Sequence, residues 1–198
     1  MAFPPHLAHL VEPARDTAGG DTREPGPDDG AREATWSYAW PAGERMAAEL
    51  AAVVDCRDLT VADLGCGRGH LGLTALTGGA ASVLFADGHG DAIARLDRVI
   101  AANGLAARAR AARHEWGDPL PDAPFDVILG GDVLYRPECF AALVRTIAGS
   151  LAAGGRCLLS DPRLRLEDEL ADRAAAAGLA WSSRRRDGGY TLLSLRRA

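Results

Sequence analysis

From residue 60 onward the chain alternates short, continuous apolar runs with longer stretches in which apolar residues recur every three or four positions. The runs at roughly 60–64, 82–86, 109–114, 125–130 and 156–160 predict five buried strands. The stretches between them predict helices that stop at Gly78-Gly79, Gly104 and Gly154-Gly155. The helix after Tyr135 is the clearest, with Pro137 near its start and Phe140, Leu143, Val144, Ile147 and Leu151 in a single stripe. Upstream, Pro41 suits a first helical turn, and Met46, Leu50, Val53 and Val54 fall at i, i+4, i+7 and i+8, which predicts an amphipathic helix docked on the core. At the far end "LAWSSRRR" and "YTLLSLRR" meet across Asp187-Gly188-Gly189, a turn composition that predicts a hairpin. Repeated β-α units with continuous apolar strands imply a parallel sheet covered on both faces. The fold class is therefore α/β, a Rossmann-like doubly wound sheet, mostly parallel, that closes with an antiparallel C-terminal hairpin.

The first 34 residues lack this rhythm. "VEPARDTAGGDTREPGPDDGAREA" is rich in Pro, Gly and acidic residues, so residues 1–34 read as a flexible lead-in and 35–198 as one domain. At 198 residues and 47% hydrophobic the chain can bury one substantial core. No apolar run approaches the roughly 20 residues that cross a bilayer, and the start lacks the pattern of a signal peptide, so a cytoplasmic protein without a membrane partner is expected. A net charge of −5 argues against general binding to nucleic acid. Arg184 to Arg186 read as a solvated strand edge, with a nucleic-acid contact as the alternative. All 22 basic residues are arginine, so the protein offers no lysine side chain to modify. Cys56, Cys66, Cys139 and Cys157 form no C-x-x-C pair and no His/Cys spacing for zinc; buried thiols and no metal are expected.

Chemistry enters at "VADLGCGRGH", residues 61–70, where a strand runs into Gly65, Gly67 and Gly69. Glycines there allow a tight turn and close backbone approach to a ligand, and the next helix presents free N–H groups. A dinucleotide fingerprint would carry its third glycine at position 70, which is His70, so NAD and FAD are disfavoured. Asp63, two residues before the first glycine, would repel a pyrophosphate but attract a ligand bearing an ammonium or a sulfonium, and S-adenosylmethionine bears both. Asp87, 24 residues beyond Asp63, ends the neighbouring strand where a ribose with two free hydroxyls can be held.

These features together resemble the class I, seven-β-strand S-adenosylmethionine-dependent methyltransferases. "WSYAWPAGERMA" (36–47), "GGDVLYRPE" (130–138) and "SDPRLR" (160–165) look like the branch with many protein lysine methyltransferases, and are similar to its electron transfer flavoprotein β-subunit lysine methyltransferase group. The resemblance covers about residues 36–197 and implies a set of contacts by position: Trp40, Asp63, Gly65, Cys66, Gly67, Gly69, Asp87, Trp116 and Gly131 at the cofactor, with Trp116 near adenine. It implies Asp132 and Tyr135 as catalytic residues, and Asp161 and Arg163 as contacts to a protein substrate. The end of the fourth strand lies beside the first in such sheets, so Asp132 and Tyr135 should border the methyl group. Asp132 would orient an incoming amine, with Tyr135 and Trp40 as an aromatic wall favouring a cation.

Plainer readings stand beside these. Tyr135 can be a helix-cap aromatic, Trp40 a packing anchor and Trp116 a core residue. Asp161 and Arg163 also suit a strand-to-helix turn. "DGHGD", residues 87–91, departs from the family's usual pattern after the acidic residue. The expected activity is methyl transfer from S-adenosylmethionine to a protein lysine by a monomeric enzyme. The alternatives are a methyltransferase for a small molecule or RNA, and a non-catalytic binding module. "DVLY" lacks the prolines of the tetrapeptide found in amino-methylating nucleic-acid enzymes.

Overall fold

The computed structural model describes residues 7–11, 35–162 and 167–197. Seven strands form one sheet: β1 (Thr60–Leu64), β2 (Ser82–Asp87), β3 (Ala109–Arg113), β4 (Phe125–Gly131), β5 (Leu151–Asp161), β6 (Leu179–Arg185) and β7 (Thr191–Arg197). Their order is β3-β2-β1-β4-β5-β7-β6. Strands β1 to β5 run parallel, and β7 lies antiparallel between β5 and β6. The chain winds outward from β1 to β3 and then returns to β4 on the other side of β1. That reversal puts the topological switch, where ligands bind in open α/β sheets, between β1 and β4.

Helices cover both faces because the central strands are buried on both. Val127 and Leu129 of β4 pack into a core with Met46, Leu73, Phe85 and Leu96, while Ile128 faces a second core with Phe140, Leu143 and Ile147. The first core lies under α1 (Pro41–Ala48), α2 (Leu50–Val53), α3 (His70–Thr77) and α4 (Gly90–Ala102). The second lies under α5 (Phe140–Ser150) and α6 (Glu167–Ala176).

Three sequence expectations change. The helix begun by Pro41 does not run on to Val54: it breaks at Glu49, whose backbone is at φ −114° and ψ 18°. Met46, Leu50 and Val54 are still buried, so the apolar face survives the break, while Val53 is half-buried. Gly154 and Gly155 do not end the helix before β5. The helix stops at Ser150 and the glycines sit within the strand, where the register against β4 shifts between Phe125 and Val127. A Cβ on Gly155 would lie 2.9 Å from the Phe125 carbonyl oxygen, so the bulge needs a bare backbone. Within the expected lead-in, Leu7 is fully buried in the first core. Val11 is clasped by Asn103 at the end of α4, donating N–H to Oδ1 at 2.7 Å and accepting from Nδ2 at 2.9 Å. No helix among the described residues is long and apolar enough to cross a membrane.

Candidate active site

The turn after β1 is the floor of the site. Gly65, Gly67 and Gly69 have φ of 67°, 46° and 75°, a left-handed run that side chains resist. It is tied to the end of β2, because Gly65 and Cys66 donate their N–H groups to the Ala86 carbonyl at 2.8 and 3.1 Å. The Asp87 carboxylate continues the link: Oδ2 accepts from Gly67 N–H and Oδ1 from His89 N–H, both at 2.8 Å. Burial raises the Asp87 carboxyl above its ordinary range against these two donors. Each oxygen keeps a lone pair for a further donor, as two ribose hydroxyls would need.

Asp63 is 2% exposed and faces α3, where Oδ2 accepts from Gly72 N–H at 2.8 Å. Burial pushes its carboxyl up to about 7, Gly72 opposes the rise and Asp87 adds to it. Gly72 also performs the close helix-to-strand packing that position 70 cannot, since a Cβ there would stand 2.3 Å from the Phe85 ring. His70 itself is buried, with Nδ1 3.6 Å from the Glu44 carboxylate of α1. Cys66 is a buried thiol whose pKa is raised well above its ordinary value by burial.

A cavity of about 420 Å³ opens above the turn, lined among others by Trp36, Trp40, Asp87, Trp116, Asp132 and Tyr135. A smaller one of about 60 Å³, bordered by Asp63, Glu44 and Arg68, shares Trp40, Gly65, Gly67 and Gly131 with it. The two are sides of one turn. Half-buried Trp116 packs on the second core and also lines the cavity. Its loop is pinned from α5, as Gly117 N–H donates to Thr146 Oγ1 at 2.8 Å.

Asp132 leaves β4 in a left-handed conformation, φ 56°, which turns its carboxylate back toward α1. Asp132 N–H donates to the Ser160 carbonyl at 2.8 Å, and Oδ2 accepts from Gly43 N–H at 2.7 Å. Asp132 is 4% exposed, whereas Tyr135 is 49% exposed. The Tyr135 ring lies nearly parallel to Trp40, with centroids 6.4 Å apart and an interplanar angle of 6°. Burial of its inner side raises the phenol's pKa. Trp40 is fixed in turn by Nε1–H donation to the Thr35 carbonyl at 3.0 Å and by an edge contact with Tyr38.

Thus Trp40, Gly65, Gly67, Asp87, Trp116, Gly131, Asp132 and Tyr135 line one cavity, and Asp63 and Cys66 lie at its smaller side. Gly69 is buried behind the turn, where a Cβ would meet Leu96 at 2.6 Å, so it shapes the turn from below. Asp161 is 2% exposed at the end of β5, in register with Thr191 of β7, and lines neither of these two cavities. Arg163 lies outside the described residues. Sequence reading missed Gly43, Gly72 and Trp36. The first two act through backbone N–H groups; the Trp36 carbonyl would lie 3.0 Å from a Cβ on Gly67, so it crosses directly over the turn. Among the described residues no group of three or more His, Cys, Asp or Glu could hold a metal ion.

The residues fit S-adenosylmethionine: bare backbone at the glycine turn, a carboxylate at the tip of β2, an indole for a base and acidic groups for a cationic tail, within a volume suited to a nucleoside. Sheet order, turn and cavity together define the fold of the class I S-adenosylmethionine-dependent methyltransferases. A solved structure of that class, the O-methyltransferase NcsB1 from neocarzinostatin biosynthesis in complex with S-adenosylmethionine, superposes with a TM-score of 0.65 at 25% identity, covering 76% of this chain and 53% of that one. The chain belongs to the lysine methyltransferase family, whose model matches residues 34–171. It is 32% identical over 120 residues to protein N-lysine methyltransferase METTL21A of Danio rerio, covering 58% of this chain and 54% of that protein. It is 30% identical over 112 residues to the histidine protein methyltransferase 1 homolog of Dictyostelium discoideum, covering 54% of this chain and 36% of that protein. The chain therefore spans about half of the first relative's length and about a third of the second's.

Proposed function

We propose that the protein transfers a methyl group from S-adenosylmethionine to a lysine side chain of another protein. The observation that carries this reading is the placement of Asp132, a buried carboxylate clamped by Gly43 N–H beside the half-exposed Tyr135 and its parallel partner Trp40. A lysine arrives as an ammonium, which an aromatic face and a carboxylate both attract. Once the amine has lost a proton to solvent, Asp132 accepts one of its N–H groups and aims the nitrogen lone pair. The cofactor supplies an electrophilic methyl on a sulfonium, so no covalent enzyme intermediate is required. The chain's own task is alignment: the glycine turn, Asp87 and Trp116 hold the nucleoside, and Asp132 and the aromatic pair hold the acceptor.

In this proposal residues 35–198 form the methyltransferase domain, residues 1–34 are a lead-in tied to it through Leu7 and Val11, and the enzyme works as a cytoplasmic monomer. The net charge of −5 supports a protein acceptor over a phosphate backbone. The test is to incubate the protein and its Asp132→Asn variant with methyl-labelled S-adenosylmethionine and a lysate of the source organism lacking the gene. Label in a discrete protein, recovered as methyl-lysine and lost with the variant, is the expected result. Recovery as methyl-histidine would move the acceptor to the residue type in the Dictyostelium relative's name. Label confined to RNA or small molecules would refute a protein acceptor. The chain contains no lysine, so label on the enzyme itself cannot be a lysine product.

A further inference from the structure

Helix α1 carries much of the acceptor side. Trp40 is its N-cap, and Gly43 donates to Asp132 Oδ2 at 2.7 Å. The helix reaches that distance because two glycines face each other: a Cβ on Gly131 would stand 2.7 Å from Gly43 Cα. With helix and strand in backbone contact, any movement of α1 changes the Gly43–Asp132 hydrogen bond directly.

The other end of α1 is held by different chemistry. At Glu49, where the helix breaks, Oε1 accepts from Arg186 Nε at 3.2 Å and Oε2 from Arg186 Nη2 at 2.9 Å. The Tyr190 hydroxyl donates to the same Oε1. Both partners belong to the turn joining β6 and β7, which is closed by Arg186 N–H donating to the Tyr190 carbonyl at 2.8 Å. Tyr190 is fully buried in the first core, so the phenol is a fixed donor. Isolated surface ion pairs contribute little, but a forked guanidinium joined by a buried phenol has a defined geometry. The Arg186 hydrogen bond first, and the Tyr190 one second, hold the Glu49 carboxyl below its ordinary range, so it is ionised at neutral pH.

We infer that Glu49, Arg186 and Tyr190 are positioning residues for methyl transfer: they anchor the end of α1 to the terminal hairpin and thereby set Gly43 and Trp40 against Asp132 and Tyr135. The inference rests on the role given to Asp132 above. None of the three residues lines either cavity, so their effect passes through the helix. Asp87 and Trp116, at the ends of β2 and β3, do not depend on that anchor. Trp40, Gly43 and Glu44 also border the smaller cavity, so loss of the anchor acts on transfer more than on cofactor affinity.

The experiment compares wild type with Tyr190→Phe, Glu49→Gln and Arg186→Lys by three measurements: the Gly43 amide resonance of ¹⁵N-labelled protein, calorimetric binding of S-adenosylhomocysteine, and transfer of labelled methyl to lysate protein. Misplacement by about 1 Å costs up to about 100-fold in rate, so Glu49→Gln, with a smaller movement, is expected to lose on the order of 10-fold. The Gly43 resonance should move in each folded variant, while affinity for S-adenosylhomocysteine falls by a smaller factor than transfer does. Arg186→Lys keeps the charge but not the fork and should fall between wild type and Glu49→Gln. Tyr190→Phe removes only a hydroxyl, so it remains informative should the other variants fail to fold. Folded variants with an unmoved Gly43 resonance would overturn the inference, even if their melting temperatures fall. If wild type transfers no label at all, the proposed function fails, and the Gly43 resonance by itself decides whether the anchor positions α1 against Asp132.

Discussion

Replacing Asp63 should separate stability from cofactor recognition. Its carboxyl is pushed from 3.8 up to about 7, chiefly by burial. The folded value lies above the unfolded one, so the folded chain holds this proton more tightly. The resulting stability is full below about pH 4 and is lost as pH rises through the window from 3.8 to about 7. A rise of that size corresponds to about 4 kcal/mol at pH 8, as an upper bound. Asp63→Asn abolishes the ionisation, and its amide oxygen still accepts the Gly72 N–H. The amide must house two hydrogens where the protonated acid has one, which takes back roughly 2 kcal/mol. The variant should therefore be more stable than wild type at pH 8 by about 2 kcal/mol, or about 4–8 °C in Tm, and no more stable at pH 5. The same change removes the negative charge that an ammonium would meet. Calorimetry should show S-adenosylhomocysteine binding to wild type about 10-fold more tightly at pH 8 than at pH 6, following the ionised fraction, and the variant should lose that slope. A variant no more stable than wild type at pH 8, or one that keeps the slope, would refute this account of Asp63.

Three further outcomes follow from the same geometry. Asp132→Asn retains an acceptor for Gly43 N–H but not the charge, so labelled-methyl transfer should fall by about 100-fold while the Kd for S-adenosylhomocysteine changes by less than about threefold. Trp116→Ala removes the indole facing the cavity and should weaken S-adenosylhomocysteine binding by roughly 10-fold in calorimetry, in line with the worth of base–aromatic stacking. Gly131→Ala places a Cβ 2.7 Å from Gly43 Cα, backbone that cannot rotate away. It should destabilise by about 1–3 kcal/mol, measured as a fall in Tm, and reduce transfer by displacing α1.

The strands were legible because parallel strands buried on both faces are written as continuous apolar runs, as in Val127 to Leu129. The break at Glu49 was not, because its partners, Arg186 and Tyr190, lie 137 and 141 residues away. Local periodicity through Met46, Leu50 and Val54 reads as one helix, and only the tertiary contact divides it. The Gly154-Gly155 pair misled for another reason. Paired glycines serve helix ends and strand bulges alike, and only the approach of Gly155 to the Phe125 carbonyl decides between them.

Within the site, side chains with distinctive chemistry announced themselves, whereas backbone donors did not. Asp63, Asp87 and Asp132 could be picked out as acids at strand ends. The groups that hold two of them, Gly72 N–H and Gly43 N–H, carry no side-chain signature. This division also governs what similarity transfers between relatives. In the proposed function the cofactor side is built at the ends of β1, β2 and β3, around the glycine turn. In the proposed function the acceptor side is built by α1 and the end of β4, where Gly43 meets Asp132 and Trp40 meets Tyr135. This chain matches a protein named for lysine methylation at 32% identity and one named for histidine methylation at 30%. In the proposed function acceptor choice rests with that side, where a clamped carboxylate beside a half-exposed aromatic pair would suit a cationic amine better than a neutral imidazole.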